Sequence, residues 1–282
     1  MGHAKEIKEE IRFTSELGDL LEIMKNIAIF QFYALRRKEE RFERFFDVLK
    51  DFFRMLKRGT EHYLIGPETD KACIVMITSN EGFMGGLNFQ VIQLAMEQKY
   101  FDDADLVIVG ERGARYLKEM NREFASFGGA ADAAERYELA TRLKDYVMKG
   151  FREKRFGRAF VSYPKPRSFM TQTVEMVQIL PLAPDISEQS YEKDASLIVE
   201  SPIAGIIEFM VDQFAEERLI QILEDSKLSE FSARVIHLEK SGQELTEKKR
   251  QLKLSYFRAY HEMIDKSTRE LFSAQVILKR KR

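Results

Sequence analysis

A chain of 282 residues with 44% apolar residues is long enough to hold one or two domains around a sizeable core. Its net charge of −1 gives no global attraction to nucleic acid or anionic lipid. A lone Cys73 excludes an intrachain disulfide and any multi-cysteine metal site, and no run of about 18 apolar residues and no signal-peptide pattern is present. The expectation is a soluble protein in a reducing compartment, touching a membrane only through a partner.

Residues 4–57 carry apolar side chains at spacings of three and four, among them Ile7, Ile11, Leu17, Leu20, Leu21, Met24, Ala28, Leu35 and Phe42, with no proline. That spacing predicts one amphipathic helix. Gly18 is its one weak point, and Gly59 with Gly66-Pro67 closes it. The texture then changes. Ala72 to Ile77 is a short continuous apolar run, as in a strand covered on both faces. A glycine-rich loop follows from Thr78 to Asn88, and Phe89 to Gln98 reads as helix. Leu106 to Gly110 is a second strand, with a helix through Met120. Strand–helix–strand–helix implies a parallel sheet with right-handed crossovers. Residues 126–131 read as a small-residue turn and 132–150 as helix. Arg158 to Tyr163 reads as a strand, Pro164-Lys165-Pro166 as a turn, and Thr173 to Leu180 as a further strand. The last two strands could pair as a hairpin across a loop longer than the tight-turn types.

From Ile203 to about residue 278 the helical pattern returns, with Pro202 just before it. Leu238, Leu245 and Leu252 are seven apart and mark one heptad position. The companion position falls on Gly242 and Lys249, so the seam looks interrupted, and residues 239–251 are polar nearly all round. At ~1.5 Å per residue the two terminal helices would run ~80 Å and ~110 Å, longer than a globular domain uses. Winding them on each other, antiparallel, is the simplest way to bury both stripes. The expected seam is Ile11, Leu21 and Ala28 against Leu238, Leu245 and Leu252. The fold class expected is α/β: a long antiparallel coiled coil of the N- and C-terminal helices plus a central doubly wound α/β domain. The divisions are 1–58, 70–200 and 203–282.

Little in the sequence points to chemistry. The loop from Thr78 to Asn88 lies between a strand and a helix, where a phosphate-binding loop would sit. No Gly-Lys-Ser/Thr follows, and the glycines at 82, 85 and 86 do not match the dinucleotide fingerprint. A turn needing positive φ and close packing accounts for it better. Gly110-Glu111-Arg112-Gly113 is a second strand-to-helix turn whose Glu111 would repel a phosphate. His3, His62, His237 and His261 share no ligand spacing. Acidic pairs such as Glu216-Glu217 and Glu224-Asp225 read as solvated helix faces, and the basic tail from Lys279 to Arg282 as a solvated terminus. No catalytic, metal or cofactor site is expected.

Six short motifs, in order, resemble one family. Lys5, Ile7, Ile11 and Met24 match its first helix. Ser79-Asn80-Glu81-Gly82-Phe83-Met84-Gly85-Gly86-Leu87-Asn88 resembles its central motif, Ser-(Asp)-x-Gly-Leu-Cys-Gly-Gly-Leu-Asn, with Met84 at the cysteine. Leu106 to Gly113 resembles the next strand and turn, and Ile179-Leu180-Pro181-Leu182 its Leu-Leu-Pro. Glu200-Ser201-Pro202 is similar to its Glu-Pro, and Ser229-Glu230-Phe231-Ser232-Ala233-Arg234 to its Ser-Glu-x-x-Ala-Arg. The family is the γ subunit of the F-type ATP synthase, the central rotor shaft. Departures lie near the C-terminus. Tyr260 and His261 replace an Arg-Gln pair that contacts a β subunit. The closing signature is reduced to Ile264, Glu270 and Ala274, with Asp265 and Ser267 at its Thr and Glu. These departures fit a diverged branch.

The resemblance implies a non-catalytic central-stalk subunit. It transmits torque between the membrane rotor ring and the catalytic αβ hexamer while ATP synthesis is coupled to proton or sodium transport. ATP chemistry falls to the partner subunits. The implied partners are the α and β subunits, the ε subunit and the membrane c-ring, with no nucleic acid and no cofactor. The implied place, in a bacterium, is the cytoplasmic face of the inner (plasma) membrane as a peripheral subunit. Met24, Glu200, Glu230, Arg234, Ile264 and Glu270 are the implied subunit contacts. Two other classes stand beside this one: a nucleotide-binding α/β protein with helical extensions, and a coiled-coil scaffold.

Overall fold

The computed structural model describes residues 2–36, 48, 69–181 and 202–280. The part of the expected first helix beyond Arg36 and the breaks at Gly59 and Gly66-Pro67 lie outside the described residues, save Val48, which is helical. In chain order the elements are α1 (Gly2–Arg36), β1 (Ala72–Ile77), α2 (Leu87–Met96), β2 (Asp105–Val109), α3 (Glu111–Glu119), β3 (Ala125–Phe127), α4 (Ala133–Arg152), β4 (Arg158–Pro166), β5 (Gln172–Leu180) and the 78-residue α5 (Ile203–Arg280). They fall into two compact units. One comprises Met1–Ala28 with Val235–Arg282, and the other Ile29–Arg234.

The larger unit is built on a five-stranded sheet of order β3-β2-β1-β4-β5. β1, β2, β3 and β4 run parallel, and β5 returns antiparallel beside β4. β1 is continuous in apolar character because both its faces are covered. Cys73, Val75 and Ile77 face a core filled by α4 and by α5 residues such as Ile207, Val211, Leu219 and Ile222. Ile74 and Met76 face a second core under α2 and α3, with Val91, Ile92 and Leu117. Helices on both faces make this a doubly wound sheet. Asp132 caps α4 by accepting from the Glu135 amide at 2.9 Å, while Glu135 Oε2 accepts from the Ala131 amide at 2.7 Å. Two orphan donors are thereby satisfied at the helix start.

Two local expectations are corrected. Ser126 and Phe127, expected within the turn 126–131, lie in the short edge strand β3 on β2. Pro164-Lys165-Pro166, expected as a turn, continues β4 and pairs with Val174, Thr173 and Gln172 of β5. Pairing of β4 with β1 ends at Ser162, so beyond it only β5 is a sheet neighbour. The Pro164 carbonyl accepts from Ser229 Oγ at 3.1 Å, so its N side faces away from β5. A proline there removes no ladder hydrogen bond. The loop joining β4 to β5 spans Arg167 to Thr171 and is closed by the Arg167 amide donating to the Thr171 carbonyl at 3.0 Å.

In the smaller unit the two helices run antiparallel. Lys25 Nζ lies 2.9 Å from a Glu239 oxygen, and Lys248 Nζ 3.1 Å from Glu10. Inward positions on α1 recur at 7, 11, 14, 18, 21, 25 and 28, alternating steps of four and three. On α5 they recur at 238, 242, 245, 249, 252, 256, 259 and 263. The seam is therefore a two-position heptad seam, not the one-sided seam expected. Gly242 and Lys249 occupy inward positions despite their polarity. Lys249 Nζ donates to Ser15 Oγ at 2.7 Å, its stem lying along the seam. Around Gly18 and Gly242 the helices leave a groove of about 500 Å³ with Thr14, Leu21 and Leu245 on its walls.

Candidate functional site: the joint between the sheet and the long helix

The loop after β1 is held by its own polar residues. Ser79 Oγ donates to the Glu81 carbonyl at 2.8 Å and accepts from Asn88 Nδ2 at 2.9 Å, and the Ser79 amide donates to Asn88 Oδ1 at 3.1 Å. Ser79 and Asn88, the first and last residues of the central motif, thus close the loop on itself. Its neighbour Asn80 reaches outward. Asn80 Oδ1 accepts from the Glu111 amide at 3.1 Å and the Gly129 amide at 3.2 Å, tying together the loops after β1, β2 and β3.

The N-terminus of α3 is where a doubly wound sheet offers amides to a phosphate. Here those amides are taken. Glu111 donates to Asn80, Arg112 to the Ser79 carbonyl at 3.0 Å, and Gly113 to Thr78 Oγ1 at 3.1 Å. Gly110, at φ 93°, lets the chain turn against the Thr78 carbonyl; a Cβ there would lie 2.4 Å from that oxygen. The loop fills the position with its own side chains and the Ser79 carbonyl, as a structural turn does. Among the described residues no group of three or more His, Cys, Asp or Glu could hold a metal ion.

The outer side of the same loop grips α5. Arg234 Nη2 lies 2.8 Å from Glu81 Oε2 and 2.6 Å from Glu230 Oε1, and Lys227 Nζ lies 3.1 Å from Glu230. Arg234 and Glu230 are 6% and 7% exposed, whereas the Glu81 side chain is largely in water. The inner Arg234–Glu230 pair is therefore screened less than the outer one, and losing either partner would leave a buried charge uncompensated. Ala233 packs on Met84 and Leu87 of the loop. Ser229 bonds the Pro164 carbonyl and Ser232 the Leu228 carbonyl at 2.9 Å. Phe32 and Leu35 of α1 pack beside Leu228 and Phe231 on the same stretch, with Phe32 edge-on to Phe169 at 4.8 Å. The two most recognisable motifs of the sequence, the loop and Ser229–Arg234, are one contact.

The residues named from sequence fall in three places. Glu230 and Arg234 are buried in this joint. Leu21, Ala28 and Leu238 are buried in the seam of the smaller unit, where Ile11, Leu245 and Leu252 are partly buried; Met24 is partly buried beside the seam. Ile264 and Glu270 are exposed on α5, as are Tyr260 and His261, and Tyr260 stacks on Tyr256 at 6.0 Å. Glu200 lies outside the described residues. Sequence reasoning missed Asn80 as the tie of three loops and Glu81 as the partner of Arg234. An asparagine and a glutamate just beyond a buried parallel strand were the available signal.

Comparison with known proteins places this geometry. The family model described as ATP synthase matches residues 3–274. The ATP synthase gamma chain of Geotalea daltonii is 24% identical over 99% of this chain and 100% of its own length. That of Nitratiruptor sp. is 25% identical with the same coverage. Among solved structures, a chain of the Euglena gracilis mitochondrial ATP synthase, in its OSCP/F1/c-ring part, superposes with a TM-score of 0.70 at 14% identity, covering 98% of this chain and 95% of that one. A chain of the rotor of the same enzyme gives 0.68 at 16% identity, covering 93% and 99%. With a match that runs almost end to end, the chain belongs to the ATP synthase family whose relatives carry the name gamma chain.

Proposed function

We propose that this chain is the central-stalk rotor subunit of a rotary F-type ATP synthase, a torque-transmitting part on which no ATP chemistry occurs. The family match from residue 3 to residue 274 is the observation that carries this. Two features of the chain support it. The helix α5 contributes both to the paired-helix unit and to the α/β unit, so one continuous element serves both. The helix N-terminus suited to phosphate is filled by Thr78, Ser79 and Asn80, which speaks against the nucleotide-binding alternative. Catalysis belongs to partner α and β subunits; the ε subunit and the membrane c-ring are the remaining partners. Coupling is to proton or sodium transport.

The division into 1–58, 70–200 and 203–282 is offered as a functional one: shaft helix, α/β domain and shaft helix. Met24, Glu200, Ile264 and Glu270 are offered as subunit contacts. Glu230 and Arg234 act on partners through the joint they stabilise. Among the described residues no helix is long and apolar enough to cross a membrane. A place at the cytoplasmic face of a bacterial inner membrane then depends on the partner ring. Co-purification from the native source tests the proposal. Recovery with α and β subunits and ATPase activity supports it. An isolated chain that binds or hydrolyses nucleotide sinks it.

A further inference from the structure

Helices α4 and α5 lie against each other along the sheet, and their facing rows carry opposite charge. On α4 the row is Arg136, Lys144 and Arg152; on α5 it is Glu224, Glu216 and Glu208. Arg136 Nε and Nη2 donate to Glu224 Oε1 and Oε2 at 3.1 and 3.3 Å. Lys144 Nζ lies 3.5 Å from Glu216, which also accepts from Thr141 Oγ1 at 2.8 Å. Arg152 Nη2 lies 2.9 Å from Glu208 and 3.1 Å from Asp212. The basic residues are eight apart, and so are their acidic partners, in antiparallel register. Between the charges lie buried Ala140 and Met148 on α4 and Ile220 on α5, while Asp212 holds the position between Glu208 and Glu216. Burial is graded: Arg136 and Glu224 are deeply enclosed, Lys144 and Glu216 less so, and Arg152 with Glu208 half in water.

This spacing has a mechanical consequence. A slide of α5 by one turn, four residues, would set Arg136 against Ile220 or Leu228. A buried guanidinium without its carboxylate costs far more than a surface pair gains. Apolar packing alone would resist the slide less, because Leu and Ile recur on the same face. We infer that Arg136, Lys144 and Arg152 form a register lock that holds α5 against axial and twisting load, so that force on the helix reaches the sheet without slip. These are positioning residues, and none touches nucleotide. The inference rests on the rotor function proposed above.

The test is a charge swap in the complete ATP synthase, reconstituted in vesicles with this chain. Lys144→Glu and Glu216→Lys are made singly and together, because this middle pair is less enclosed than Arg136 and Glu224. ATP-driven ion pumping per ATP hydrolysed is the readout. Each single variant should lower that ratio by about twofold or more, and the double variant should restore most of it. Assembled singles that pump with the unaltered ratio overturn the lock. So does a double variant as poor as the singles. The same cycle on the unfolding midpoint of the isolated full chain keeps the two claims apart. A restored midpoint in the double supports the pairing even if the unaltered chain fails to drive pumping, a failure that would instead strike the rotor function. Two singles whose midpoint losses simply add in the double overturn it.

Discussion

Replacing Arg136 by methionine probes the buried end of the α4–α5 row. The pair is enclosed, with side chains 8% and 11% exposed. At 3.1 Å and an effective dielectric of about 20, the Coulomb attraction is ~5 kcal/mol. Desolvation of two ions costs several kcal/mol each, so the net worth of the pair is close to zero. Removing one partner is different, because the Glu224 carboxylate stays behind in an enclosed site. Arg136→Met should therefore destabilise the chain by about 3–5 kcal/mol. Arg136→Met with Glu224→Met should fall within ~1–2 kcal/mol of the parent or exceed it. Urea unfolding followed by circular dichroism measures both. With a slope near 3 kcal/mol/M, the single variant shifts the midpoint by about 1–1.7 M. A double variant as unstable as the single, or a single indistinguishable from the parent, would refute the burial argument.

Three further outcomes are expected. Gly110→Ala places a Cβ 2.4 Å from the Thr78 carbonyl at φ 93°, so it should cost ~3 kcal/mol or more, read as a fall in the unfolding midpoint of the α/β unit. Leu238→Asp buries a carboxylate at a position 1% exposed in the helix seam; protease digestion should then cut the helix pair faster while the sheet unit stays resistant. Burial pushes the Tyr163 hydroxyl up from 10.0 to about 12. The unfolded chain then ionises first, so this contribution is complete below pH 10 and is lost as pH rises towards 12; Tyr163→Phe should abolish that alkaline loss in a pH series of unfolding midpoints.

How much of this was legible in the sequence varies with the physics of each element. β1 and β2 were plain because a parallel strand covered on both faces is apolar at every position, as Ala72 to Ile77 shows. β3 was not, because three residues at a sheet edge carry no period to read. The prolines of β4 read as a turn, since only the pairing pattern reveals that they lie where β4 has β5 alone for a sheet neighbour. The heptad at Leu238, Leu245 and Leu252 was visible. Its companion at Gly242 and Lys249 was hidden, because an inward lysine that reaches Ser15 looks like a surface residue in a one-dimensional pattern. The two motifs of the joint were each recognisable. Their meeting through Glu81 and Arg234 was not, because residues more than 150 positions apart are joined only by the fold. Glu216 and Glu224 read as solvated helix faces for the same reason: each sits in an acidic pair, and nothing local tells which member turns inward.

The most direct measurement is rotation itself. The complex containing this chain is fixed to a surface through its β subunits, a bead is attached to the α/β unit of the chain, and ATP is supplied. The chain should turn in one direction for as long as ATP is hydrolysed. A bead that stays still while the partner subunits hydrolyse ATP at their full rate would contradict the role of rotor.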